Sequence, residues 1–192
     1  IIHHFGRTKG LSMFLASEIP PGTGLGSSSS VAVAVVKAIS TLCGQSLSKE
    51  EIAELASFIE IEKLRMPIGK QDQYAAAFGG LNAIVFRREV VIVEPVRAAP
   101  ETIETLERNM LLFFTGTAHN SGQILSQQRD SSLREDPQVI ESLHAIKSMA
   151  QESLSCFERG DLHGYGELLH ASWQRKKQLA PGITNSLIEE YY

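Results

Sequence analysis

The segment PPGTGLGSSSS, Pro20 to Ser30, runs without a break into VAVAVVKAIS, an apolar stretch with helical spacing. It is too short, and too closely joined to that apolar stretch, to act as a linker. A strand, a glycine turn and then a helix is the local arrangement that makes an anion site. The first N–H groups of a helix have no intrahelical partner, and the helix dipole adds partial positive charge there. Glycines let the backbone approach a ligand closely, and serine hydroxyls add donors or reach a metal ion. The chemistry these residues suggest is phosphate binding, and the plain alternative is a flexible turn with an N-cap.

Three familiar phosphate or catalytic patterns do not fit. A Walker loop needs Gly-Lys before Ser or Thr, but Ser27 comes after Gly26 and there is no lysine until Lys37. The dinucleotide pattern GxGxxG begins at Gly22-Thr23-Gly24, yet Ser27 holds its third position. The esterase elbow GxSxG is absent.

Around this segment, patterning predicts a mixed helix and strand chain. LSMFLASEIPP, from Leu11, alternates as a strand that Pro20-Pro21 ends. The helix after the serines is expected from about Ser28 to Leu42, with Val31, Val35, Ile39 and Leu42 on its apolar face and Gly44 stopping it. Ser48 with Glu51 forms a capping box, and Leu47 with Ile52 a hydrophobic staple, so a second helix should run to about Leu64. A short helix over Asp72 to Phe78 ends at Gly79-Gly80, and LNAIVF and EVVIVEPV read as a hairpin turning at Arg87-Arg88. Composition shifts over Arg97 to Asn109, which suggests a domain boundary, and MLLFFTG reads as a buried strand. The remainder is helical, with Asp136-Pro137 starting one helix and Gly160-Asp161 ending it and capping the next. Leu162, Tyr165, Leu169 and Trp173 are expected to line the core face of that last long helix.

Composition narrows the function classes. The 192 residues are 43% hydrophobic and 21% charged with net charge −4, so they hold enough apolar material for a core and offer no basic face for nucleic acid or an anionic membrane. The longest purely apolar run, Val31 to Val36, is far too short to span a bilayer, and the opening residues lack a secretory pattern. Cys43 and Cys156 stand alone, as reduced thiols of a cytoplasmic protein would, and the six histidines show no ligand spacing.

On the letters of the glycine–serine segment the chain resembles the GHMP small-molecule kinases, the group that contains galactokinase, homoserine kinase and mevalonate kinase. Pro21, Gly22, Gly24, Leu25, Gly26, Ser27 and Ser28 match that family's second motif, while Ser29 and Ser30 replace small alanines. The resemblance implies that Pro21, Gly22, Thr23, Gly24, Leu25, Gly26, Ser27, Ser28 and Ser29 wrap the phosphates of ATP and that Ser28 helps hold Mg2+. A second segment, GKQDQYAAAFGG, resembles the stretch that carries the family's catalytic aspartate, which makes Asp72 the base. A carboxylate within reach of an acceptor hydroxyl can take its proton as the γ-phosphate arrives. The competing role for Asp72 is to cap its own helix.

A second metal ligand is less directly written. Glu60 and Glu62 fall near opposite edges of the apolar face formed by Ile52, Leu55 and Ile59, and periodicity does not choose between them. The resemblance implies Glu60, twelve positions before Asp72.

Taken with LLFFTGTAHNSGQIL, these segments are most similar to the family members that phosphorylate the anomeric hydroxyl of D-glycero-D-manno-heptose 7-phosphate. Fucokinase- and galactokinase-like members share the same motifs. Lys70, Gln71, Tyr74 and Thr115-Gly116-Thr117 are candidates for touching the sugar or for packing around the base. The fold implied is α+β in two domains, residues 1–100 with the phosphate loop and Asp72 and residues 101–192 mostly helical, with ATP in the groove between them. The family's first and third motifs are not found, so the fold is expected to be incomplete at both ends and the chain alone to turn over little. The implied partner is a small sugar or sugar phosphate, with neither nucleic acid nor membrane. Two rivals remain, a non-catalytic nucleotide-binding module and an assembly protein that keeps a kinase fold.

Overall fold

The computed structural model describes residues 1–6, 10–19, 22–115 and 121–192. It is a mixed helix and strand fold that divides into two units, one built on Ile1–Ile84 and the other on Val85–Gly116 with Gln123–Tyr192.

The first unit is a cluster of three helices. α1 spans Ser27–Leu42, and Gly44 closes it in a left-handed conformation, its N–H donating to the Thr41 carbonyl. α2 spans Lys49–Ser57 behind the expected capping box, with the Ser48 hydroxyl accepting from Glu51 N–H and the Glu51 carboxylate accepting from Ser48 N–H. α2 continues into a widened π-helical turn, Phe58–Lys63, marked by Leu64 N–H donating to the Ile59 carbonyl five residues back. Pro67 then disfavours helical geometry for the residue before it. α3 spans Gln71–Phe78 and ends at Gly79. Ala32 and Val36 of α1 pack against Ile52, Ala56 and Ile59, which forms the core.

That packing corrects the expected face of α1. Val35 and Ile39 are buried, but Val31 and Leu42 are exposed, and the inward stripe also takes in Ser29, Ala32, Val36 and Ser40. A helix start as uniformly apolar as VAVAVV fits several rotations equally well. The neighbouring helices choose one, and the small Ser29 and Ala32 permit the close approach.

Chain order continues with the hairpin β1 (Asn82–Phe86) and β2 (Val91–Pro95), closed by Arg87 N–H donating to the Val90 carbonyl. The stretch with the composition shift folds as α4, Pro100–Asn109. α5 (Ser121–Leu133), α6 (Pro137–Arg159), α7 (Leu162–Lys176) and α8 (Ser186–Tyr191) complete the chain. Asp136 caps α6 by accepting from Gln138 and Val139 N–H, and Gly160 ends it in a left-handed conformation. Asp161 then caps α7. α6 and α7 lie antiparallel: Phe157 and Tyr165 rings meet at 4.6 Å near one end, and Arg175 pairs with Glu141 at the other. Leu162, Tyr165 and Trp173 are half-buried, but Leu169 is exposed, so the expected apolar face of α7 is only partly covered.

Two expected strands are not strands. Leu11 to Ser17 is irregular, with Phe14 90% exposed, and Met110 to Phe114 is irregular, with Leu112 81% exposed. A strand exists only where another strand completes its ladder, and among the described residues the one sheet is β1–β2. Alternation and apolar content are therefore satisfied in the letters without a partner in space. Among the described residues no helix is long and apolar enough to cross a membrane.

Candidate active site

The glycine–serine segment turns into α1 through three left-handed glycines, Gly22, Gly24 and Gly26, at φ 79°, 76° and 65°. Gly26 is the N-cap, and among the described residues no side chain caps the helix. Its carbonyl accepts from Ser30 N–H at 2.9 Å, while the amides of Ser27, Ser28 and Ser29 find no acceptor among the described residues. No acidic residue occupies the first turn. The start of α1 is thus a set of unpaired donors with the positive end of the dipole behind them. Gly22, Gly24, Leu25 and Ser28 are exposed, Thr23 and Ser27 are half-buried, and Ser29 is buried under the turn. Pro21 lies outside the described residues, as do Gly116 and Thr117.

Asp72 lies against this turn. A Cβ built on Gly26 would sit 3.4 Å from Asp72 Oδ2 and 3.5 Å from its Cγ. The residues predicted for phosphate and for proton transfer therefore meet, although 46 positions separate them in the chain. Asp72 does not cap α3. Lys70 is the N-cap residue, Asp72 lies in the first turn, and its carboxylate is exposed with no hydrogen-bond partner among the described residues. The left-handed conformation, at φ 65°, explains the glycine. An alanine at 26 would add strain of roughly 1–2 kcal/mol, while its methyl group would meet the Asp72 carboxylate only at ordinary contact distance. Gly26→Ala is expected to lower the thermal unfolding midpoint and to weaken nucleotide binding in calorimetry.

Glu60 joins the same cluster. It is 2% exposed, its Oε1 accepts from Ser28 Oγ at 2.5 Å, and its Oε2 accepts from Gln73 Nε2 at 2.6 Å. Glu62 is exposed. The inward stripe of α2 runs through Ala53, Ala56 and Ser57, none of them solvent-accessible, and Glu60 is its next member. A face drawn through the large residues Ile52, Leu55 and Ile59 misses this stripe, and Leu55 is in fact only half-buried. The small residues were the available signal, since they are where a neighbouring helix can come close.

Sequence reasoning also missed Gln73, which is fully buried and touches Glu60. Lys70 and Tyr74 turn out to hold α3 on α2 through Glu54. Lys70 Nζ lies 2.9 Å from Glu54 Oε2, and the Tyr74 hydroxyl donates to Glu54 Oε1. Burial opposes charge on Glu54, but the hydrogen bond from Tyr74 and the hydrogen bond and charge of Lys70 outweigh it, holding the carboxyl below its ordinary value. Burial, and then the same carboxylate, push the Tyr74 hydroxyl well above the usual phenol range. Tyr74 is occupied in packing, and Gln71 is exposed.

Comparison with known proteins adds to this geometry. The family model for the GHMP kinases N terminal domain matches residues 1–80. The chain is 35% identical, over 94% of its length, to a D-glycero-alpha-D-manno-heptose 7-phosphate kinase of Campylobacter jejuni, and covers 53% of that protein. It is 27% identical, over 98% of its length, to a bifunctional fucokinase/GDP-fucose pyrophosphorylase of Arabidopsis thaliana, and covers 18% of it. A solved structure, a D-glycero-D-manno-heptose 1-phosphate kinase from Bacteroides thetaiotaomicron, superposes with a TM-score of 0.68 at 33% identity, over 84% of this chain and 46% of that one. The chain therefore spans about half the length, or less, of the relatives it matches.

Proposed function

We propose that the chain, whose residues 1–80 match the family model for the GHMP kinases N terminal domain, supplies the phosphate-binding and proton-accepting residues of an ATP-dependent sugar kinase. The observation that carries this reading is the close approach of Asp72 to Gly26 at the open start of α1. Phosphoryl transfer asks a protein mainly to position the reactants and neutralise charge. The amides of Ser27, Ser28 and Ser29, which have no acceptor among the described residues, offer donors to the phosphates of ATP. Asp72, uncapped and solvent-facing beside them, accepts the proton of the attacking sugar hydroxyl.

Ser28 Oγ and the Glu60 carboxylate are hard oxygens already within hydrogen-bond distance of each other, which suits Mg2+. A Mg2+ held by two protein oxygens would complete its shell with waters and substrate phosphates. Bound there, Mg2+ would neutralise phosphate charge. Ser28 and Glu60 would hold it, and Pro21 to Ser29 would line the phosphates.

Relatives named for heptose phosphates and for fucose both support a sugar acceptor. The heptose-phosphate relatives share more identity with the chain, so we assign the anomeric hydroxyl of D-glycero-D-manno-heptose 7-phosphate as acceptor. Asp72 does not cap its helix, which leaves its carboxylate available for proton transfer and favours the catalytic reading over a non-catalytic nucleotide module.

The test is ADP release by the full-length protein with ATP, Mg2+ and a panel of heptose 7-phosphate, L-fucose, galactose and mevalonate. The heptose phosphate is expected to give the highest kcat/KM. Preference for L-fucose or galactose would overturn the acceptor, and preference for mevalonate the sugar-kinase reading.

A further inference from the structure

We propose that Gln73 is a positioning residue that holds the Glu60 carboxylate in its metal-binding orientation, an inference that rests on the kinase reading above. Gln73 is 0% exposed, and its Nε2 donates to Glu60 Oε2 at 2.6 Å. Its other polar atom, Oε1, is buried with no partner among the described residues. A buried amide with an orphaned carbonyl is a costly way to fill space, and an apolar side chain of similar length would leave only Glu60 Oε2 without its donor. What glutamine adds is a donor aimed at Glu60. The amide cannot be turned over, since that would set its carbonyl oxygen against a carboxylate.

The two oxygens of Glu60 are thus held separately, Oε1 by Ser28 and Oε2 by Gln73. Ser28 is itself a metal-binding candidate. A cation on its oxygen lone pairs would set the direction of the Ser28 hydroxyl, whereas Gln73 holds the other carboxylate oxygen whether or not a cation is bound. Outer partners of this kind orient the ligands that touch a metal. Asp72 and Gln73 are consecutive on the first turn of α3, and successive helix positions point about 100° apart. One turn therefore presents the proton acceptor to the loop and sends the support for the metal ligand inward.

The experiment titrates Mn2+, followed by its paramagnetic resonance signal, into full-length protein with ADP present. It compares the parent with Gln73→Met and Gln73→Asn. Methionine keeps the length and removes the donor. Asparagine keeps the amide but falls one methylene short, and it carries the test if the methionine variant does not fold. Both are expected to raise the Mn2+ half-saturation point by about 10- to 100-fold, leave metal-free ADP affinity unchanged, and recover most of kcat at saturating Mg2+. Folded variants that bind Mn2+ as the parent does would overturn the proposal, and so would a loss of kcat at saturating metal with Mn2+ affinity intact. A parent that binds no Mn2+ with ADP would overturn the kinase reading itself, which separates the two failures.

Discussion

Asp72→Asn is expected to lower kcat by about 10²- to 10⁴-fold, the usual contribution of a positioned general base, without weakening the binding of ATP. Asparagine keeps the shape of the side chain beside Gly26 but cannot take a proton. The native carboxylate lies against a turn assigned to a triphosphate, and like charges at that range repel. Removing the charge should leave ATP affinity equal or slightly tighter. Turnover assays on full-length protein, paired with calorimetric ATP titration, read the two quantities separately. An enzyme variant that keeps its parent's kcat would remove Asp72 from the chemistry. One that loses turnover and ATP affinity in proportion would make Asp72 part of the binding loop instead.

Glu60→Gln is the second large effect, and it is unusually clean because the local hydrogen bonds can re-form. The new amide oxygen can accept from Gln73, and the new NH₂ can donate to Ser28 Oγ, whose hydroxyl turns to receive it. Fold stability should then change little, although Glu60 is almost wholly buried. What disappears is a negative hard ligand. Charge stabilisation by a metal is worth several kcal/mol, and each 1.36 kcal/mol is about tenfold in rate, so kcat/KM at fixed Mg2+ should fall by about 10²- to 10³-fold. Raising Mg2+ should restore part of it. Rate measurements over a Mg2+ series, with thermal unfolding alongside, check both halves. A variant as active as the parent at low Mg2+ would place the metal elsewhere.

Much of this site can be read from local letters because its parts are local devices. The glycines, the serines and the helix start lie within one short segment, and positive φ at Gly22, Gly24 and Gly26 is what three glycines in a turn would lead one to expect. The capping box at Ser48, the caps at Asp136 and Asp161 and the stop at Gly160 are also near-neighbour effects. The hairpin arises from two β-branched runs a few residues apart.

The misses have the opposite character. Leu11 to Ser17 and Met110 to Phe114 have strand-like letters but no ladder among the described residues, since pairing is a property of two segments. The face of α1 could not be chosen from a run apolar all round. A period drawn through large residues did not separate Glu60 from Glu62, because the small residues decide where helices approach, and Glu60 came from the family resemblance instead. Gln73 was passed over as the neighbour of Asp72, its importance lying in an oxygen thirteen positions away.

The amino-acid order alone determined the starts of α1, α2, α6 and α7, the stops of α1, α3 and α6, and the mixed helix and strand class, because each depends on residues within a turn or two of one another. The tertiary structure alone decided that Asp72 meets Gly26, that Glu60 rather than Glu62 turns inward to Ser28 and Gln73, and that two apolar segments stay out of any sheet among the described residues. Those outcomes depend on packing between distant segments, and the free energy of such packing is not written in either segment by itself.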